Sequence, residues 1–394
     1  MKSYIHATIS STLAWAGNIY DLLIVTYIYP YLEKAYSLNF AGVTLLFALG
    51  LIGRVVGGTI FGKLSDRVLG RKEVLLIGTA GYSIFGLLLP FSPSSIFLFI
   101  FRLLEGVFMG AQWTAGTVLA FEQAPLNMKS FVVSIVQAGY GIGYALTAVA
   151  YITFLPIMQG DGWRFFLATS VFPLAIVPYA YVKLKEAKEA SIISNTEKPK
   201  LKDYFSITLK ASIAMAGMFI AYFVLFENYP TIAERWAGMP ASELGLTLLI
   251  ANIVLTIMFI VFGRLAEIFG KRLLILLSVI LLLVFVPLSV PPIKALANPT
   301  LMMIGTIGYA MFCGYWPLMP TLLVEAVPRE VRGVISGLSY NIGGLVGGIA
   351  SVLVGIISTI QTLHLWVDAL SIFSLTVIFI TMLTWPKSSV VQGK

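Results

Sequence analysis

The chain has 394 residues, of which 58% are hydrophobic and 11% charged, with a mean hydropathy of +0.92 and a formal net charge of +8. A soluble domain of this length carries roughly twice that charged fraction, so a water-soluble globular class is excluded. Cys313 is the sole cysteine, which excludes an internal disulfide.

Apolar runs fall at about 8–32, 40–63, 73–91, 96–122, 131–155, 163–182, 207–230, 243–263, 273–290, 300–325, 333–358 and 363–385. Each is long enough to cross about 30 Å of hydrocarbon as a helix. They predict an all-α membrane protein with twelve transmembrane helices. The first run is too long for a cleavable signal peptide and has no small-x-small site after it.

That first run holds "GNIYDLLIVTYIYP", with Asp21 near its centre. A charged aspartate at a helix centre costs roughly 2.5–3.5 kcal/mol, so Asp21 must face protein or water. One reading is a structural ion pair or hydrogen bond; the other is a proton-coupling site. Burial favours the neutral carboxyl and a nearby arginine the charged one, so an aspartate between the two can switch. The second run carries Arg54 and ends in "GKLSDRVLGRK", with Asp66, Arg67, Arg71 and Lys72. The fourth carries Arg102 and, three residues on, Glu105. A guanidinium fork binds a carboxylate bidentately, so Arg102 and Arg54 are candidates for holding an anionic substrate. A salt bridge within one helix face is the plainer role for Arg102, and Glu105 is a second candidate proton site.

Gln137, Tyr140 and Tyr144 in the fifth run are spaced i, i+3, i+7 and share a face. With Trp113, Tyr315, Trp316, Tyr340 and Asn341 they are candidates to line an amphipathic cavity, against interfacial packing as the alternative. Glycine pairs such as Gly53/Gly57 and Gly139/Gly143 read as close helix-packing points. Glu227 is expected to be solvated near a membrane surface. His6 and His364 fall at helix ends, which argues against a histidine relay.

Lys183–Ser206 is polar and charged and reads as a linker, dividing the chain into six-helix halves at 1–182 and 207–394. Of the 26 Lys and Arg residues, 20 fall on the side holding both termini and this linker. Four (Lys34, Arg164, Arg235, Lys294) fall on the other side, and Arg54 and Arg102 lie within helices. The asymmetry predicts a multi-pass protein of the cell (plasma or inner) membrane with cytoplasmic termini and linker. It also accounts for the net +8, which is therefore no sign of nucleic-acid binding.

The halves repeat. "GKLSDRVLGRK" at 62–72 matches "GRLAEIFGKR" at 263–272, pairing Gly62 with Gly263 and Asp66 with Glu267. "EQAPLNMK" at 122–129 matches "EAVPREVR" at 325–332, pairing Glu122 with Glu325 and Lys129 with Arg332. Parallel repeats of this kind place a substrate site between the halves near the midplane.

At these residues the chain resembles the major facilitator superfamily, whose signature loop follows its second helix. "DRVLGRK" has two residues between Arg67 and Gly70 where the usual loop has one, which shifts the register of Arg71. "NIYDLLIV", "GLIGRVVGGTIFGKLSDR", "FRLLEGVFMGAQW", "VQAGYGIGYALTA" and "YPT" further resemble the proton symporters for lactate, sialate and related organic acids. Asn18 stands where that group has a first aspartate, and Glu105 where it has a neutral residue. The resemblance implies proton-coupled symport of a small organic anion, a monocarboxylate, by a monomer in the bilayer using alternating access. Asp21 would couple the proton and Arg102 would be the main anchor. It also implies that Asp66, Arg67, Arg71, Glu122, Glu325 and Arg332 form a cytoplasmic gate. No cofactor or metal motif is present, and the lack of a GxxxxGK[ST] loop disfavours an ATP-driven pump. A drug or metabolite antiporter would end its fifth-helix motif in Gly-Pro, but Gly143 precedes Tyr144. A sugar symporter would carry Pro-Glu-Ser after helix 6, where "VKLKEAKEAS" stands.

Overall fold

The computed structural model describes residues 2–186 and 199–386; residue 1, the middle half of the predicted linker and the last eight residues lie outside the described residues. Among those described, regular structure is helical throughout. In chain order the α-helices are α1 (Ser3–Ile24), α2 (Tyr29–Tyr36), α3 (Phe40–Arg67), α4 (Arg71–Leu88), α5 (Ser95–Gln123), α6 (Lys129–Phe154), α7 (Gly162–Ala168) and α8 (Ile176–Lys183). They continue as α9 (Phe205–Thr231), α10 (Ala241–Phe269), α11 (Lys271–Ser289), α12 (Pro299–Phe312), α13 (Leu318–Glu325), α14 (Arg329–Ile357) and α15 (Leu363–Leu383).

Three of the predicted spans are broken rather than continuous. The first is α1, a 3₁₀ turn at Val25–Ile28 and then α2, which begins over Pro30. The sixth is α7 and α8 joined through the 3₁₀ stretch Thr169–Ala175, which contains Pro173. The tenth is α12 and α13 joined through Cys313–Tyr315, ahead of Pro317. Proline lacks the amide that continues the ladder, so the helix shifts or breaks there. Among the described residues, eleven spans are long and apolar enough to cross a membrane; α1, rich in serine and threonine and carrying Asn18 and Asp21, is not among them.

The chain forms two compact units, one of Met1–Asp203 with Val327–Asn341, the other of Tyr204–Ala326 with Ile342–Lys394. The boundary at 203/204 falls inside the expected linker. The first part of α14, to Asn341, joins the first unit, an allocation that halves at 1–182 and 207–394 do not contain.

In the first unit α3 and α5 approach through glycines. A Cβ on Gly57 would strike the main-chain oxygen of Val107, and one on Gly110 the oxygen of Arg54. Apolar burial gives little drive between helices in lipid, so such backbone contact supplies dispersion energy instead. In the second unit Gly217 of α9 meets the Ser374 oxygen of α15 at 3.0 Å, measured from the place a Cβ would take. The repeat is visible in the backbone: Gly70 (φ +84°) and Gly270 (φ +85°) are the N-caps of α4 and α11. Both sit in a region that L side chains rarely adopt, which explains glycine at both positions.

Candidate functional site

Arg102, Glu105 and Asp21 form a centre in the first unit with no solvent exposure at any of the three. The 3₁₀ turn after α1 positions it. An α-helix leaves its last carbonyls outside the i→i−4 ladder, here among them those of Asp21 and Leu22, while the cap amide of Val25 reaches the Leu23 oxygen. Arg102 Nη1 donates to the Asp21 oxygen (3.3 Å) and Nη2 to the Leu22 oxygen (3.0 Å), while the Thr26 hydroxyl donates to Leu23 (2.7 Å). A cation at a helix C-terminus also opposes the helix dipole favourably. Arg102 Nε donates to the Leu46 carbonyl of α3 at 3.1 Å, an approach that Gly50 allows. Nη1 completes the set with the Glu105 carboxylate at 2.7 Å, the i,i+3 contact available from the sequence.

Asp21 is different. Its main-chain oxygen is bonded, but neither carboxylate oxygen forms a hydrogen bond among the described residues. One of its oxygens, a Glu105 oxygen and Ser170 Cβ all face Gly86 of α4: a Cβ there would lie 3.3, 3.1 and 2.7 Å from them. The two carboxyls therefore share one small enclosure. That Glu105 oxygen also lacks a hydrogen bond among the described residues. Asn18, one turn back, donates to the Met109 carbonyl (2.8 Å) and to Gln112 (2.7 Å).

Arg54 of α3 is buried without such partners. Among the described residues its guanidinium meets no carboxylate or carbonyl; it lies 5.1 Å from the ring centre of Trp15, a cation–π contact. Trp15 packs edge-on to Trp113 (6.1 Å) and to Tyr340 (6.4 Å), and Trp113 and Tyr340 stack with centroids 3.5 Å apart and planes at 16°. All three rings are at most 2% exposed. The indole nitrogens of both tryptophans and the Thr114 hydroxyl are buried without hydrogen bonds among the described residues. Asn341 donates to the Gly337 carbonyl at 2.8 Å, Gln137 is buried, and Tyr140 and Tyr144 are half-buried with rings 5.0 Å apart.

A third cluster holds the start of α14. The buried Asp66 carboxylate accepts from the Gly333 and Val334 amides, both at 2.9 Å. Arg71 donates to Asp66, to Ser65 (2.7 Å) and to the Arg329 carbonyl (2.9 Å). The Arg329 carbonyl and Gly333 amide are the i and i+4 groups of one helical bond, so the Asp66–Arg71 pair engages both ends of it. Glu122 lies 3.5 Å from Arg71, 3.6 Å from Arg329 and 3.4 Å from Arg332. The extra loop residue thus leaves Arg71 within reach of Asp66. Glu186 accepts from the Arg71 (2.9 Å) and Lys72 (2.8 Å) amides, anchoring the start of α4.

Two expected gate residues stand apart from this cluster. Arg67 is exposed, because α3 ends at that residue and turns its side chain outward. Glu325 pairs with Lys271 at 3.0 Å within the second unit. Sequence reasoning missed Trp15, Gly86, Ser170 and Glu186. Trp15 lies six residues before Asp21 and was readable as one more membrane aromatic; the others carry no local signal of their roles. Glu227 is exposed, His6 bonds the Tyr179 hydroxyl (2.8 Å) and His364 stacks on Trp236 (4.0 Å). Among the described residues no group of His, Cys, Asp and Glu could hold a metal ion.

Repeated helical units, glycine-packed spans and buried charge within them define a multi-pass membrane protein of the transporter class. The Major Facilitator Superfamily model matches residues 8–352, and the chain belongs to that family. It is 26% identical over 355 residues to a probable 4-methylmuconolactone transporter of Cupriavidus pinatubonensis, covering 88% of this chain and 82% of that one. It is 24% identical to the sialic acid transporter NanX of Escherichia coli (94% and 91% covered) and 23% identical to a cis,cis-muconate transport protein of Acinetobacter baylyi (86% and 84%). Among solved structures it is similar to the proton:xylose symporter XylE, with a TM-score of 0.79 at 16% identity over 97% of this chain and 94% of that one. FucP in its outward conformation gives a TM-score of 0.74 at 15% identity (98% and 100%).

Proposed function

We propose that this protein is a secondary transporter that carries a small organic anion, a monocarboxylate, together with a proton by alternating access. Relatives that carry organic acids support the substrate class. The coupling rests on one observation: a fully buried centre with two carboxyls and one guanidinium, and on the helix packed against α5 a buried arginine with no acid partner among the described residues.

Counting charge gives the coupling rule. The Arg102–Glu105 pair is neutral. With Asp21 deprotonated and no substrate, Asp21 balances Arg54. With a proton on Asp21 and a carboxylate on Arg54, each charge is again compensated. A proton alone leaves one net positive charge, and a carboxylate alone leaves one net negative charge. Enclosing an uncompensated ion in a low-dielectric interior is costly, so the site closes readily when empty or when doubly loaded. That is symport. Arg54 is the anchor in this reading, because Arg102 is occupied by Glu105 and three carbonyls. The hold of Asp66 and Glu122 on α14 serves as the gate on its side of the membrane.

Proteoliposomes separate these claims. An inward proton gradient is expected to concentrate a radiolabelled monocarboxylate, and Arg54→Ala is expected to abolish its binding. Uptake that is indifferent to the gradient would remove proton coupling.

A further inference from the structure

The aromatic cluster beside Arg54 has features that a mere anion site does not need. Trp113 and Tyr340 lie nearly parallel with centroids 3.5 Å apart, so a phenol ring stacks on one indole face. Trp15 meets both rings edge-on and carries the Arg54 guanidinium over its own face, which makes the cation and the stacked pair contiguous. Buried indole N–H groups usually find an acceptor, since they can only donate. Among the described residues the Trp15 and Trp113 nitrogens both lack one, and the Thr114 hydroxyl one residue on has no partner either. A flat apolar surface, a guanidinium that meets no carboxylate among the described residues and donors without acceptors describe together a planar ligand with a carboxylate and further acceptor oxygens.

We infer that the face of Trp113 is the ring-binding surface for a planar, conjugated carboxylate held by Arg54, and that Tyr340 occupies this face when substrate is absent. The inference rests on the carboxylate reading above and narrows its substrate class. Tyr340 belongs to α14, the helix whose start Asp66 and Glu122 hold. A substrate ring that takes the place of the phenol on Trp113 must move this part of α14 or turn the side chain aside. Binding and rearrangement of α14 are then the same event.

Benzoate and cyclohexanecarboxylate share a carbon skeleton and a charge and differ in the flat π-face. Titration calorimetry of the purified full chain is expected to show benzoate binding about fivefold tighter, the scale of one aromatic stacking contact. Trp113→Leu should remove the difference between the two acids. Tyr340→Ala should tighten benzoate, because the internal competitor is gone, and Tyr340→Phe, which keeps the ring, should not. Equal affinity for the two acids in the parent would overturn the inference and leave the carboxylate reading standing. Weaker benzoate binding in Tyr340→Ala would overturn the displacement. Binding of neither acid would overturn the carboxylate reading and this inference with it.

Discussion

Arg54 and Arg102, both buried in the first unit, differ in what surrounds them, and this decides what each substitution should do. Arg102 closes the end of α1 and pairs with Glu105, so removing it leaves a buried acid and two helix-terminal carbonyls without partners. Breaking a buried pair from one side costs about 3–5 kcal/mol. Arg102→Ala is therefore expected to lower expression and thermal stability in detergent, and normal melting would refute the capping role. Arg54 lacks such ties, so Arg54→Lys should fold normally but bind carboxylate more weakly, since a point charge lacks the fork. Asp21→Asn fixes the neutral form. It should preserve counterflow exchange, abolish gradient-driven accumulation, and flatten the fall in uptake that the parent shows as external pH is raised. Accumulation that survives in Asp21→Asn would transfer the proton to Glu105.

At the scale of elements, the glycine seam between α3 and α5 sets the positions of Arg54 and Arg102 together. Gly57→Leu forces a side chain into the Val107 backbone and should destabilise by about 1–3 kcal/mol, read as a lower melting temperature. The start of α14 is held by charge-assisted bonds from Asp66, of which an amide retains only weaker ones. Asp66→Asn should loosen that segment by about 1.5–3 kcal/mol. Maleimide labelling of Ser336→Cys, at a buried position of α14, should then speed up. Unchanged labelling would leave Asp66 as a topogenic charge.

For the molecule as a whole, the basic-residue asymmetry orients the chain in its membrane. We propose that both termini face the cytoplasm. Lys2→Cys, at an exposed position, should resist a membrane-impermeant maleimide in intact cells and react after permeabilisation; the native Cys313 is buried and silent. Labelling from outside would invert the assignment of every gate.

Much of this was legible in the chain itself, and the part that was not has a physical cause. Run lengths near 20 apolar residues and the scarcity of charge determine a polytopic helical protein, because a bilayer leaves the backbone no other way to satisfy itself. The repeat at 62–72 and 263–272 predicts matching turns, found as Gly70 and Gly270, because a positive φ demands glycine locally. The Arg102–Glu105 pair followed from i,i+3 spacing. What surrounds Asp21 could not be read from the run that contains it. Its neighbours Glu105, Ser170 and Gly86 come from α5, the turn before α8 and α4, at separations of 65 residues or more, and only helix packing brings them together. The same holds for the choice between Arg54 and Arg102. Each is an arginine set within an apolar stretch of its helix. Tertiary structure gave one of them the freed carbonyls of a broken helix and the other an aromatic face, and that difference in partners separates a helix cap from a candidate anchor.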